Sequence, residues 1–169
     1  ECLAFRDRHI TQAVSLPLGC VRLTEKFITD PTAPFTATHA DAIAAHVREL
    51  IQHAGFNFSL PATATAIGTG GTVTTVRTIQ AASTGRPLAE TPTRLAVATL
   101  RSLLSELGEI PLTARQHIAG LPPARADVFP TALATVITLA ELGGFDAFEN
   151  SLYNLRWGLV AEALDPAST

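Results

Sequence analysis

The chain has 169 residues, 47% of them apolar and 16% charged, with a net charge of −3. This composition suits one globular domain with a sizeable core and excludes a disordered chain. The acidic balance argues against a protein that grips nucleic acid over a broad surface, and no apolar run approaches the ~18 residues of a membrane span.

Taken in chain order, residues 1–20 read as two short strands, Glu-Cys-Leu-Ala-Phe-Arg-Asp and His-Ile-Thr-Gln-Ala-Val-Ser-Leu, paired as a hairpin and ended by Pro17 and Gly19. A short helix is expected over Val21–Ile28, then a Pro/Thr-rich loop. Thr38 is placed to cap an amphipathic helix, with Asp41 completing a box-like pattern and Ile43, Val47, Leu50 and Ala54 on one stripe before Gly55. Residues 61–67 alternate with period two and read as a strand in small residues. A glycine stretch follows, and a helix from Thr72 to Ala81. Thr93 is placed to cap a helix carrying Leu100, Leu103, Leu104 and Leu107 and stopped by Gly108; a shorter helix is expected over 113–119. From Ala124 to Leu142 runs a strongly apolar helix with Pro130 near its start, ended by Gly143-Gly144. A last strand over Phe145–Leu152 and a last helix over Arg156–Leu164 complete the order β-β-α-α-β-α-α-α-α-β-α, which favours an α/β fold with few strands for its helices.

Cys2 and Cys20 are the only cysteines. A core of this size needs no covalent staple, so reduced thiols in a cytoplasmic protein are expected. Lys26 is the only lysine, which leaves catalytic-lysine and P-loop-lysine mechanisms without an obvious carrier. The chain starts Glu-Cys-Leu and holds no methionine, as a piece of a longer protein would.

Ala66-Ile67-Gly68-Thr69-Gly70-Gly71-Thr72-Val73 is the most chemically suggestive stretch. Glycines let a backbone approach an anion closely, and a helix starting near Thr72 would aim unpaired N–H groups at it. The stretch lacks the Gly-Lys-Ser/Thr of a Walker loop, and Val73 stands where a dinucleotide fingerprint has its third glycine. On pattern alone, phosphate cradle and plain turn both stay open. His39, His46 and His53 recur every seven residues, about 10.5 Å along a helix, too far apart to share a metal; no metal-ligating residue is assigned. Arg22, Arg115, Arg125 and Arg156 are scattered candidates for holding an anion, although a surface or ion-pair role suits each taken alone.

Four stretches in order resemble the exopolyphosphatase and guanosine pentaphosphate phosphohydrolase (Ppx/GppA) family. Val14-Ser-Leu-Pro-Leu-Gly-Cys-Val-Arg-Leu-Thr-Glu25 is similar to its Ser-Leu-x-x-Gly-x-x-Arg-Leu-Thr segment, and Ala66–Val73 to its Gly-Thr-Gly-Gly-Thr motif. Ala114-Arg-Gln-His-Ile-Ala-Gly-Leu121 with Ala124-Arg-Ala-Asp-Val128 resembles the Arg…Gly-Leu…Arg-Ala-Asp segment; Ser151–Gly158 is a weaker match to the closing Gly-Leu-Arg-Glu-Gly signature. Asn154 replaces a glycine and Trp157 the usual Glu of that signature.

The resemblance implies an actin-like ATPase (ribonuclease H-like) lobe, a mixed sheet with helices lacking its first strand, with residues 1–169 forming one domain. That domain would be the C-terminal lobe of a two-lobe phosphatase, inactive without its own N-terminal lobe. It implies Mg²⁺-assisted hydrolysis of a phosphoanhydride in the full-length protein, the substrate being inorganic polyphosphate or guanosine pentaphosphate. Carried onto this chain, Gly68, Gly70, Gly71 and Thr72 would contact phosphate or nucleotide, and Glu1 would be a catalytic carboxylate. Arg22 and Arg156 would help hold polyanionic substrate. No nucleic-acid or membrane partner is expected; a homodimer is left open. Two other readings compete: a non-catalytic actin-like module binding nucleotide or alarmone, and a sugar- or acetate-kinase relative, which the arginine segments fit less well.

Overall fold

Strands β1 (Cys2–Arg6) and β2 (His9–Val14) pair antiparallel, from Cys2 opposite Val14 to Arg6 opposite His9, with a bulge between Ala4 and Phe5. In this computed structural model, which describes residues 1–7 and 9–164, the hairpin is a two-stranded sheet of its own. Helix α1 (Cys20–Phe27) follows within a residue of its expected span.

Helix α2 (Ala37–Ala54) begins one residue before the expected start, and its cap is Thr36 rather than Thr38. The Thr36 hydroxyl accepts from the His39 N–H at 3.3 Å, and His39 Nδ1 accepts from the Thr36 N–H at 3.1 Å. Histidine thus plays the part usually taken by Glu or Gln in a capping box, which a search for Asp41 or Glu cannot anticipate. The buried stripe is Ile43, Val47 and Ile51; Leu50 is half-buried and Ala54 exposed. Gly55, at φ 67°, ends the helix as expected.

Strand β3 covers Ala66–Thr69, not 61–67. Alternating Ala and Thr carry too little bulk to fix a register; the ladder partner does so instead. Helix α3 (Gly71–Thr84) comes next. The expected helix start at Thr93 is corrected too: Arg94–Ala96 form strand β4, and α4 (Val97–Glu109) follows. Gly108 does not stop α4. It admits another backbone, since a Cβ there would lie 2.8 Å from the Phe35 carbonyl oxygen, and the Phe35 N–H donates to the Gly108 carbonyl at 2.9 Å. After a single turn, α5 (Leu112–Arg115), and a 3₁₀ turn at Pro123–Arg125, helix α6 (Phe129–Gly143) starts later than Ala124. Strand β5 (Ala147–Ser151) and helix α7 (Leu155–Leu164) close the chain.

The second sheet has the order β3-β5-β4, with β5 parallel to β3 and antiparallel to β4. Helix α6 is the hub, buried at every position from Phe129 to Thr135. On one side Leu133 and Phe129 join Val76, Leu95, Leu100 and Leu107; on the other, Ala134 meets Leu23, Ile43, Val47 and Ile51. Each fully buried Leu or Ile contributes roughly 1.5–3 kcal/mol, so these two clusters fix the helices that frame the sheet's carboxyl edge. Among the described residues, no helix is long and apolar enough to cross a membrane.

Candidate anion site at the glycine turn

Because β3 and β5 are parallel, both strands end at one edge, with Gly68 opposite Asn150 and Thr69 opposite Ser151. The chain leaves β3 through Gly70 and enters α3 at Gly71. In open α/β sheets this carboxyl edge, beside a helix N-terminus, is where ligands bind.

The three glycines of the turn answer to three different constraints. A Cβ on Gly68 would lie 2.7 Å from a methyl of Val73, which is itself buried. Gly70 adopts φ 85° and ψ −171°, a conformation open essentially to glycine alone. At Gly71 a Cβ would collide with the Arg125 guanidinium. Packing explains the first and backbone conformation the second. Only the third places a charged group against the turn.

Arg125 comes from the 3₁₀ turn before α6. Its half-buried guanidinium donates one long hydrogen bond, 3.4 Å to Thr75 Oγ1, and makes no ion pair among the described residues. A helix N-terminus carries partial positive charge, so an arginine parked there unpaired is electrostatically unfavourable until an anion lies beside both. Asn150 stiffens the floor. Its side-chain N–H₂ donates to the Gly68 carbonyl at 3.2 Å and to Thr74 Oγ1 at 3.3 Å, while its buried Oδ1 has no partner among the described residues. Nothing in the sequence pattern singled out Asn150; it is one polar residue in a strand, and only the β3–β5 register brings it under the turn.

The other candidates divide. Thr72 is half-buried on the first turn of α3, and Thr69 is exposed at the end of β3. Arg156 is exposed at the start of α7, which leaves the same sheet edge through the 152–154 loop; its backbone N–H donates to Asn154 Oδ1 at 3.0 Å. Arg22 is exposed on α1, which a buried Thr24–Thr131 hydroxyl bond of 2.8 Å ties to the start of α6. Glu1 is exposed at the head of the separate hairpin. Among the described residues, no hydrogen bond or ion pair joins Glu1, Arg22 or the Arg156 side chain to the turn. Arg115 is not available to an anion at all. It is 2% exposed and donates to the carbonyls of Ile110, Ala126, Pro31 and Ala33. Burial pulls its pKa below the ordinary arginine value, with the charge of Asp127 opposing. The four bonds make it a bolt between loops.

Residues 1–167 match the model of the Ppx/GppA phosphatase family. The chain belongs to that family. No curated protein sequence matches it. Its fold is that of solved Ppx/GppA structures. It superimposes on the type II variant of the Aquifex aeolicus Ppx/GppA phosphatase with a TM-score of 0.76 at 22% identity, covering 93% of this chain and 51% of the other. With an exopolyphosphatase from Cytophaga hutchinsonii the TM-score is 0.80 at 22% identity, covering 96% and 53%. This Ppx/GppA chain therefore spans about half the length of the structures it matches, and has the mixed sheet and flanking helices of an actin-like ATPase lobe.

The turn of this Ppx/GppA lobe does not suit a Mg²⁺ ion by itself. Backbone N–H groups and a guanidinium attract anions and repel cations, and magnesium wants carboxylate and water oxygens. Among the described residues, no three His, Cys, Asp or Glu side chains gather as a metal site.

Proposed function

We propose that this chain is one lobe of a phosphoanhydride hydrolase that releases phosphate from inorganic polyphosphate or guanosine pentaphosphate. One observation carries the reading: the under-bonded Arg125 guanidinium set against Gly71 at the start of α3. A chain of phosphates lying across that edge would accept hydrogen bonds from the backbone N–H groups of Gly71 and Thr72 and from the arginine fork. Those donors are fixed before substrate arrives, so they stabilise charge on phosphoryl oxygens without reorganising. Arg22 and Arg156 would extend the positive edge along the substrate, and Glu1 would orient the attacking water. Any Mg²⁺ that accompanies the polyanion would take its ligands from substrate oxygens and from groups other than this turn, and no step is assigned to it.

The lobe is proposed to act with a second lobe across a cleft. The exposed apolar side chains of the hairpin, Leu3, Phe5 and Ile10, and of α7, Trp157, Leu159 and Leu164, support that reading, because large apolar side chains left in water suit a face that another part of the protein covers. A cytoplasmic setting is part of the same proposal.

The test is phosphate release by the protein that carries this chain, assayed with long-chain polyphosphate and with guanosine pentaphosphate in the presence of Mg²⁺. Release from one or both is expected, and negligible turnover by the 169-residue chain alone. Binding of either substrate without release would convert the reading to a regulatory binding module. Robust hydrolysis by the isolated chain would remove the need for a second lobe.

A further inference from the structure

Asn150 lies on β5, the central strand of the second sheet, and is 5% exposed. Its backbone is fixed from both sides. The ladder sets it opposite Gly68 of β3, and its N–H donates to the Thr93 carbonyl at 2.8 Å, next to β4. From that fixed point the side-chain amide reaches both ends of the glycine turn: the Gly68 carbonyl near the end of β3, and Thr74 Oγ1 in the first turn of α3. Between those contacts lie Thr69, Gly70, Gly71, Thr72 and Val73. Within the same span the Thr74 N–H donates to the Gly70 carbonyl at 3.3 Å.

The amide has one sensible orientation. Its nitrogen faces the oxygens of Gly68 and Thr74 and, at 3.5 Å, the Ser151 carbonyl; exchanging nitrogen and oxygen would set Oδ1 against two carbonyls. The consequence falls on the other arm. Oδ1 is buried without a partner among the described residues, and an orphaned buried acceptor costs stability. A valine would suit this central strand and leave no side-chain acceptor unpaired. What Asn150 supplies, and valine cannot, is the N–H₂ bridge across the turn.

We propose that Asn150 is a positioning residue: its amide holds the Gly71 and Thr72 N–H groups convergent on an anion, at a cost in fold stability. The inference rests on the reading of that turn as the phosphate site. Gly70 is the reason a brace is needed. A glycine at φ 85° has wide conformational freedom. Without a tie across it the two N–H groups would swing apart, and an arriving phosphoryl group would have to order them. With the tie they are ordered on folding, before any anion arrives.

Two substitutions in the protein that carries this chain test it. Asn150→Val removes the bridge and the orphan together. Its chemical-denaturation midpoint is expected to match or exceed that of the unmodified protein, while kcat/KM for polyphosphate falls about ten-fold or more. Asn150→Asp keeps the shape but sets a carboxylate under an anion site. Burial raises the pKa of that carboxyl, so lowering the pH through it restores a neutral side chain with an O–H donor. The ratio of variant to unmodified kcat/KM should therefore climb as pH falls, a recovery that a purely structural role would not produce. Backbone-amide relaxation by NMR reads the brace without substrate. In Asn150→Val the order parameters of Gly70, Gly71 and Thr72 should drop from about 0.85, the rigid range, toward about 0.6 or below. Unchanged order parameters overturn the proposal, as does an Asn150→Val midpoint that falls in step with kcat/KM, or an Asn150→Asp ratio flat with pH. Absence of phosphate release by the unmodified protein would count against the hydrolase reading instead, and the relaxation data would still decide the brace.

Discussion

The guanidinium of Arg125 rests against the backbone of Gly71, on the spot a side chain at position 71 would fill. One comes from the turn before α6 and the other from the first residue of α3, so the contact joins two elements at the sheet's carboxyl edge. The one hydrogen bond of the Arg125 side chain among the described residues, to Thr75 Oγ1, leaves most of its five N–H donors for a ligand.

Arg125→Ala should therefore weaken substrate binding while leaving the fold intact. A hydrogen bond to a charged group is worth about 1.5–3 kcal/mol, so KM for polyphosphate should rise roughly ten- to a hundred-fold. Arg125→Lys should recover only part, because an ammonium is a point charge without the fork. Steady-state kinetics beside a thermal melt check this; an unchanged KM in a folded variant would return Arg125 to a structural role.

Neighbouring glycines should fail in different ways. Gly70→Ala forces a side chain into a glycine-only conformation and should cost about 1–3 kcal/mol of stability, read by chemical denaturation. Gly71→Ala has ordinary helical backbone to occupy but displaces the Arg125 guanidinium. It should leave the denaturation midpoint nearly unchanged and lower affinity for phosphate oligomers, measured by calorimetry.

Gly68 and Val73 should be energetically coupled. Gly68→Ala places a methyl 2.7 Å from the Val73 side chain, an overpacking worth about 1–3 kcal/mol. Val73→Ala alone loses buried methyls, yet combined with Gly68→Ala it should relieve the clash. The double variant is expected to be less destabilised than the sum of the singles, a difference well above the scatter for independent sites. Strict additivity would show that the turn absorbs the methyl by moving.

Arg115 should matter to folding alone. Replacing it by Met leaves the carbonyls of Ile110, Ala126, Pro31 and Ala33 without that donor. Unsatisfied buried polar groups cost about 1–3 kcal/mol each, so the variant should unfold at markedly lower denaturant. Near-native stability would mean that water replaces the guanidinium.

Much of this was legible in advance because local physics dominates there. Gly55 ends α2, Pro130 sits in the first turn of α6, and the hairpin, α1, α3, β5 and α7 fall close to where residue pattern puts them. Strand β4 escaped because three residues are too few to show an alternation; Arg94–Ala96 are a strand only because β5 lies alongside. The Thr36 cap escaped because its partner is a histidine.

For the site, the chain's own order of residues determined that a glycine turn joins a strand to a helix, and its motifs determined the family. Both follow from short-range constraints: φ at Gly70, the helix that starts at Gly71, and segments read in sequence. Which arginine meets the turn was decided only by tertiary structure. Arg22, Arg115, Arg125 and Arg156 are alike as letters. The packing of α6 against the sheet buries Arg115 among carbonyls and sets Arg125 on Gly71. Contacts across more than fifty residues of chain depend on how helices stack, and no local pattern encodes that.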